Sequence, residues 1–128
     1  MSIRIEVAPG EIIDKLTILE IKRERIGDEA KRKNVAHEWD VLTRDLDAAV
    51  KKTPELDVLR TRLKEINLKL WVIEDDIRDC ERAKDFGPKF IELARAVYFT
   101  NDERALVKRQ INELLGSAIM EEKSYAAY

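Results

Sequence analysis

The stretch Asn34–Ile77, NVAHEWDVLTRDLDAAVKKTPELDVLRTRLKEINLKLWVIEDDI, decides the fold. Before Thr53-Pro54, the apolar residues Val35, Trp39, Leu42, Leu46 and Ala49 recur at spacings of three and four. After it, Leu56, Leu59, Leu63, Ile66, Leu70, Ile73, Ile77 and Cys80 do the same. That period places each set on one face of an α-helix. Thr53 is a good N-cap and Pro54 suits a first helical position, so the pattern predicts one helix over 28–52 and a second over 54–85. If the chain reverses at Lys52-Thr53, one constant register pairs Ala49 with Leu56, Leu46 with Leu59, Leu42 with Leu63, Trp39 with Ile66 and Val35 with Leu70. The expectation is an antiparallel hairpin packed like a coiled coil.

Upstream, Pro9 opens a helix over 9–26 in which Ile12, Leu16, Leu19 and Ile26 form a stripe that Ile13, Ile18 and Ile21 widen, as expected of a central helix. Ile3, Ile5 and Val7 alternate with Arg4 and Glu6, which predicts a short extended segment over 2–7 that pairs with a subunit or partner or lies on the helices. Downstream, Gly87-Pro88 starts a helix over 88–99. Thr100-Asn101-Asp102-Glu103 reads as a capping box that opens another over 101–115. The fold class is all-α, a single helical domain over 1–128, with one end of the hairpin projecting unless a second subunit covers it.

Composition agrees. Ala, Glu, Lys, Leu and Arg supply half of the 128 residues, with only four Gly and three Pro. A net charge of -2 removes the general attraction to phosphate backbones, so no nucleic-acid partner is expected. Cys80 is the only cysteine, which excludes an intramolecular disulfide. No signal-peptide core or long apolar run is present, so the chain reads as cytoplasmic and without membrane insertion. Lys22–Lys33 holds six basic and three acidic residues, and Glu74–Asp85 six acidic and three basic. In the hairpin register the two clusters should lie side by side.

Few residues carry obvious chemistry. His37 is the only histidine and lies off the seam, and Cys80 on the seam reads as a small buried hydrophobe. The acids of Glu74–Glu81 splay around their helix without a metal-ligand spacing, and no glycine-rich phosphate loop exists. No catalytic residue, cofactor or metal is therefore expected. Two segments mix charge into apolar faces. On the first helix, Asp14, Lys15, Glu20 and Lys22 are candidates for desolvation, and buried charges need partners. Arg95–Arg109 offers Arg95, Asn101, Asp102, Arg104 and Lys108. Lys15, Lys22, Arg95, Arg104 and Lys108 are the candidate contacts for an anion or a partner, and Asp14, Glu20, Asn101 and Asp102 the candidate buried polar partners.

The opening PGEIIDKLTILEIKRERI (9–26), the later FIELARAVYFTNDERALVKRQIN (90–112) and EEKSY (121–125) resemble an uncharacterised bacterial helical domain family. The resemblance covers nearly the whole chain and implies an association with glycosyltransferase and surface-polysaccharide genes, but no activity. Ile13-Asp14-Lys15, Arg23 and Asp102-Glu103-Arg104 also resemble, more weakly, fragments of the all-helical chorismate mutases, in another order and spacing. The resulting expectation is a non-enzymatic helical interaction or scaffold protein. It would be a homodimer with a possible protein partner, and an accessory to bacterial sugar transfer or cell-envelope biosynthesis. The alternative is a protein that binds an anionic metabolite, or a chorismate-mutase-like enzyme.

Overall fold

Three prolines and two polar caps set the helix starts in the computed structural model, which describes residues 1–128. Pro9 opens α1 (Pro9–Arg25), Asp28 caps α2 (Glu29–Ala49), Thr53 caps α3 (Pro54–Arg82), and Pro88 opens α4 (Pro88–Leu114). Asp28 Oδ1 accepts from the Lys31 amide at 2.9 Å and Thr53 Oγ1 from the Leu56 amide at 3.2 Å, each satisfying one orphan donor of a first turn.

α1 is the central element, as its wide apolar face requires. Its backbone approaches α2, α3 and α4, whereas α2 approaches α1 alone, and α3 and α4 lie against each other. The core forms where these helices meet. Ile13 and Leu16 of α1, Leu63 of α3, and Val107 and Ile111 of α4 are fully buried in it, each burial contributing about 1.5–3 kcal/mol.

The direct pairing expected of α2 and α3 is corrected by this arrangement. Their apolar stripes meet one core, but both face α1, and their backbones never come within close packing distance of each other. Trp39 packs against the shared core from its edge. It stacks against the guanidinium groups of Arg23 and Arg60, 4.9 and 5.8 Å from its ring centroid. The closely packed hairpin is α3–α4.

The two C-terminal helices expected over 88–99 and 101–115 are one. Thr100 does not cap a new helix but is buried within the unbroken α4, because the apolar stripe continues through it to Val107 and Ile111. α2 and α3 each end three residues earlier than expected, and α3 leaves its last turn through Lys84 at φ 54. Residues 2–7 form neither helix nor strand, and Ile3, Ile5 and Val7 are exposed.

The basic and acidic clusters are also not matched to each other. Glu74 and Asp79 pair within α3, with Arg78 and Arg82, and Glu81 pairs with Lys84 just beyond its end. From the basic cluster, Glu24 reaches Lys64 of α3, about 24 Å along the helix from Cys80.

α1 crosses only one half of the α3–α4 hairpin. Its polar contacts fall on Arg60, Lys64 and Asn67 of α3 and on Arg104, Lys108 and Asn112 of α4. Beyond Ile73 of α3 and before Val97 of α4, no side-chain hydrogen bond or ion pair ties the hairpin to α1 or α2, and α3 with 29 residues and α4 with 27 outrun α1 with 17, so this half of the hairpin projects.

Candidate functional site

Glu11 and Asp14 of α1 meet Lys108 and Arg104 of α4 where the two helices cross. Asp14 is 1% exposed, so its charge must be matched internally. Arg104 reaches it from α4 in a fork, Nε donating to Oδ1 at 2.9 Å and Nη2 to Oδ2 at 2.5 Å. From α3, Asn67 Nδ2 donates to Asp14 Oδ1 and to Thr17 Oγ1, both at 2.9 Å, and the Thr17 hydroxyl donates to the Asp14 carbonyl at 2.8 Å. Three helices are thereby fixed by one carboxylate. Its hydrogen bond with Arg104 raises the guanidinium's pKa, with burial opposing.

One turn away the helices touch more closely still. The Gly10 amide donates to Asn112 Oδ1 at 2.7 Å, and a Cβ at Gly10 would lie 2.6 Å from the Lys108 carbonyl oxygen. Only glycine permits this approach.

The outer side of the crossing is a cleft of about 530 Å³ lined by Glu11, Tyr98, Asn101, Asp102, Arg104 and Lys108 of the helices and by Glu121, Lys123 and Tyr125 of the segment that follows. Gly116, at φ 63, reverses the chain after α4, and residues 117–128 run back over the helix. Lys108 Nζ donates to Glu11 at 2.7 Å and to Glu121 at 3.4 Å, and Lys123 holds the other Glu121 oxygen at 2.9 Å. Hydrogen bonding with Lys123 and the charge of Lys108 keep the Glu121 carboxyl below the usual glutamate range, and Glu121 in turn raises the Lys123 ammonium. The cleft thus alternates cations and carboxylates beneath tyrosine rings.

Of the five candidate anion contacts, Arg104 and Lys108 come together here. Lys15 is exposed, Lys22 is half-buried, and neither forms an ion pair; Arg95 is exposed and lies over Phe99 at 5.8 Å. Among the candidate polar partners, Asp14 is the buried carboxylate and Asn101 and Asp102 line the cleft. Glu20 pairs elsewhere, with Arg60 at 2.9 Å and Lys64 at 3.3 Å. Thr17, Asn67 and Asn112 were not singled out from the sequence. Asn67 had a legible signal, a polar residue four positions after Leu63 on the apolar stripe. No group of three or more His, Cys, Asp and Glu side chains is placed to hold a metal, and no helix is long and apolar enough to cross a membrane.

Fold and crossing together define an all-helical domain of four α-helices organised around a central α1. The chain belongs to the family of unknown function DUF6165, which matches residues 3–128. No curated protein and no solved structure matches the chain.

Proposed function

We propose that the chain is a non-enzymatic helical interaction or scaffold protein, a cytoplasmic homodimer whose contact surface is the projecting half of the α3–α4 hairpin. The observation that carries this reading is the uncovered seam. Between Glu74 and Phe99 only Cys80 is buried, while Ile77, Phe90, Leu93 and Val97 are half-buried and Phe86 and Ile91 are exposed. Two helices leave an apolar stripe half in water, whereas two such hairpins make a four-helix bundle that covers both stripes. A twofold pairing supplies that second stripe from an identical chain.

The resemblance of the opening and of the Phe90–Asn112 motif to a family associated with glycosyltransferase genes extends this reading to an accessory of bacterial sugar transfer or cell-envelope biosynthesis. Light scattering tests the dimer. The expected molar mass is twice 14.9 kDa, falling to 14.9 kDa in the double variant Phe86→Glu, Ile91→Glu. A wild-type protein that stays at 14.9 kDa at every concentration contradicts the reading.

A second reading, capture of an anionic metabolite, is favoured by the convergence of Arg104, Lys108 and Lys123 on one cleft. Each of these cations already holds a carboxylate, so a ligand has to exchange with Glu121. Small dicarboxylates that raise the melting temperature of wild type, and raise it more in Glu121→Gln, would favour it. Of the residues that carry the weaker resemblance to chorismate mutases, Asp102 and Arg104 line this cleft and Lys15 and Arg23 do not.

A further inference from the structure

We infer that the α4 face between Tyr98 and Arg109 is a docking surface for an extended acidic and aromatic peptide segment of a partner protein, and that residues 117–128 occupy it in cis as a built-in stand-in. The attachment of that segment shows the chemistry the surface accepts. Beyond Ser117 no backbone hydrogen bond ties it to the helices. Glu121 meets Lys108, and both Glu122 oxygens accept from Arg109 Nη1 at 3.3 Å. Six residues after Glu122, the Tyr128 hydroxyl donates to Asp102 and its ring packs edge-on against Phe99, at a centroid separation of 4.6 Å, and beside Tyr98 at 5.2 Å.

The surface reads side chains from an extended chain running antiparallel to α4: two adjacent carboxylates at one end and an aromatic ring at the other. Charge complementarity sets the direction, since the cations Lys108 and Arg109 lie about two and a half to three turns along α4 from the aromatic pair Tyr98 and Phe99. The cis contacts are side-chain contacts at exposed positions, where solvent screens an ion pair and each contact is weak by itself. The tether adds to these contacts an effective concentration on the order of millimolar for a short flexible linker. A partner segment of the same chemistry therefore competes on nearly equal terms once it is itself concentrated beside the domain.

This surface goes beyond the dimer reading and does not depend on it. The test uses the full chain carrying Glu121→Gln, Glu122→Gln and Tyr128→Ala, three exposed positions; Lys108 keeps Glu11 as a partner when Glu121 is replaced. A synthetic peptide of residues 117–128 is titrated while backbone amide shifts are followed by NMR. The expected result is saturable shifts confined to α4 between Tyr98 and Arg109, several-fold weaker binding to wild type, where the cis segment competes, and binding weakened a few-fold when Arg109→Ala is added. Two results would overturn the proposal. One is the absence of α4 shifts in the released variant with its helices intact. The other is binding of equal strength with and without Arg109. Neither outcome depends on whether the protein is a dimer.

Discussion

The carboxylate of Asp14 on α1 and the guanidinium of Arg104 on α4 meet in a two-pronged ion pair, at 2.9 and 2.5 Å, with the acid sealed from solvent and the base partly open to the cleft. The asymmetry fixes what each replacement does. Arg104→Ala leaves a buried carboxylate with only Asn67 to hold it, and removing one partner of a buried pair costs about 3–5 kcal/mol. Arg104→Lys recovers only part of that, because an ammonium cannot donate along both directions of the fork. Urea denaturation of the two variants checks the order. Equal stability of Arg104→Ala and wild type would mean that the pair does not hold α1 in place.

Gly10→Ala tests the closest approach of α1 and α4. The added methyl meets the Lys108 carbonyl and the Asn112 amide oxygen, neither of which lies at the end of a long flexible side chain. The helices must separate and the Gly10 to Asn112 hydrogen bond lengthens. Overpacking of this kind costs about 1–3 kcal/mol, readable as a lower denaturant midpoint.

Asn101→Pro distinguishes one helix from two. At the first position of a new helix proline is favoured, whereas inside a continuous helix it removes a hydrogen bond and clashes, at about 3 kcal/mol or more. The unbroken α4 predicts the loss.

Segment 117–128 should detach at both ends of the pH range. Glu121 has its folded pKa depressed by Lys123 and Lys108, so its stabilising contribution is present above the ordinary glutamate value and is lost as pH falls through the depressed one. Tyr128 has its folded pKa raised above 10.0 by the hydrogen bond to Asp102, so its contribution is present below that value and is lost as pH rises through the raised one. The segment is therefore held from the mildly acidic range to about pH 10. Tyrosine fluorescence anisotropy should show a plateau across that window and a fall on either side, with no fall at low pH in Glu121→Gln.

Much of the local structure was legible because it rests on local chemistry. Asp28, Thr53 and the three prolines mark helix starts whatever the rest of the chain does. The need for a partner to the charges of α1, and its supply from Arg95–Arg109, followed from the cost of burying Asp14. What failed were inferences about which faces meet. A constant register between α2 and α3 is satisfied equally well when both stripes face a third helix, and α1 provides one. Thr100-Asn101-Asp102-Glu103 satisfies the capping pattern, but burial of Thr100 and the continuing apolar stripe outweigh it. Gly10 and Asn112 left no signal, since nothing in either residue announces a contact between positions 102 apart in the chain. The cleft was half legible: Arg104 and Lys108 were identified, while Glu121, Lys123 and Tyr125 depend on a chain reversal at Gly116 that sequence periodicity does not encode.

The projecting hairpin is tested most directly by amide hydrogen exchange measured at low and high protein concentration. If a second copy covers the seam, amides of Glu74–Arg82 and Pro88–Val97 exchange more slowly at high concentration, while α2 is unaffected. Exchange in the hairpin that is fast and independent of concentration, with the rest of the helices protected, would contradict the dimer and leave that half of α3 and α4 without its proposed role.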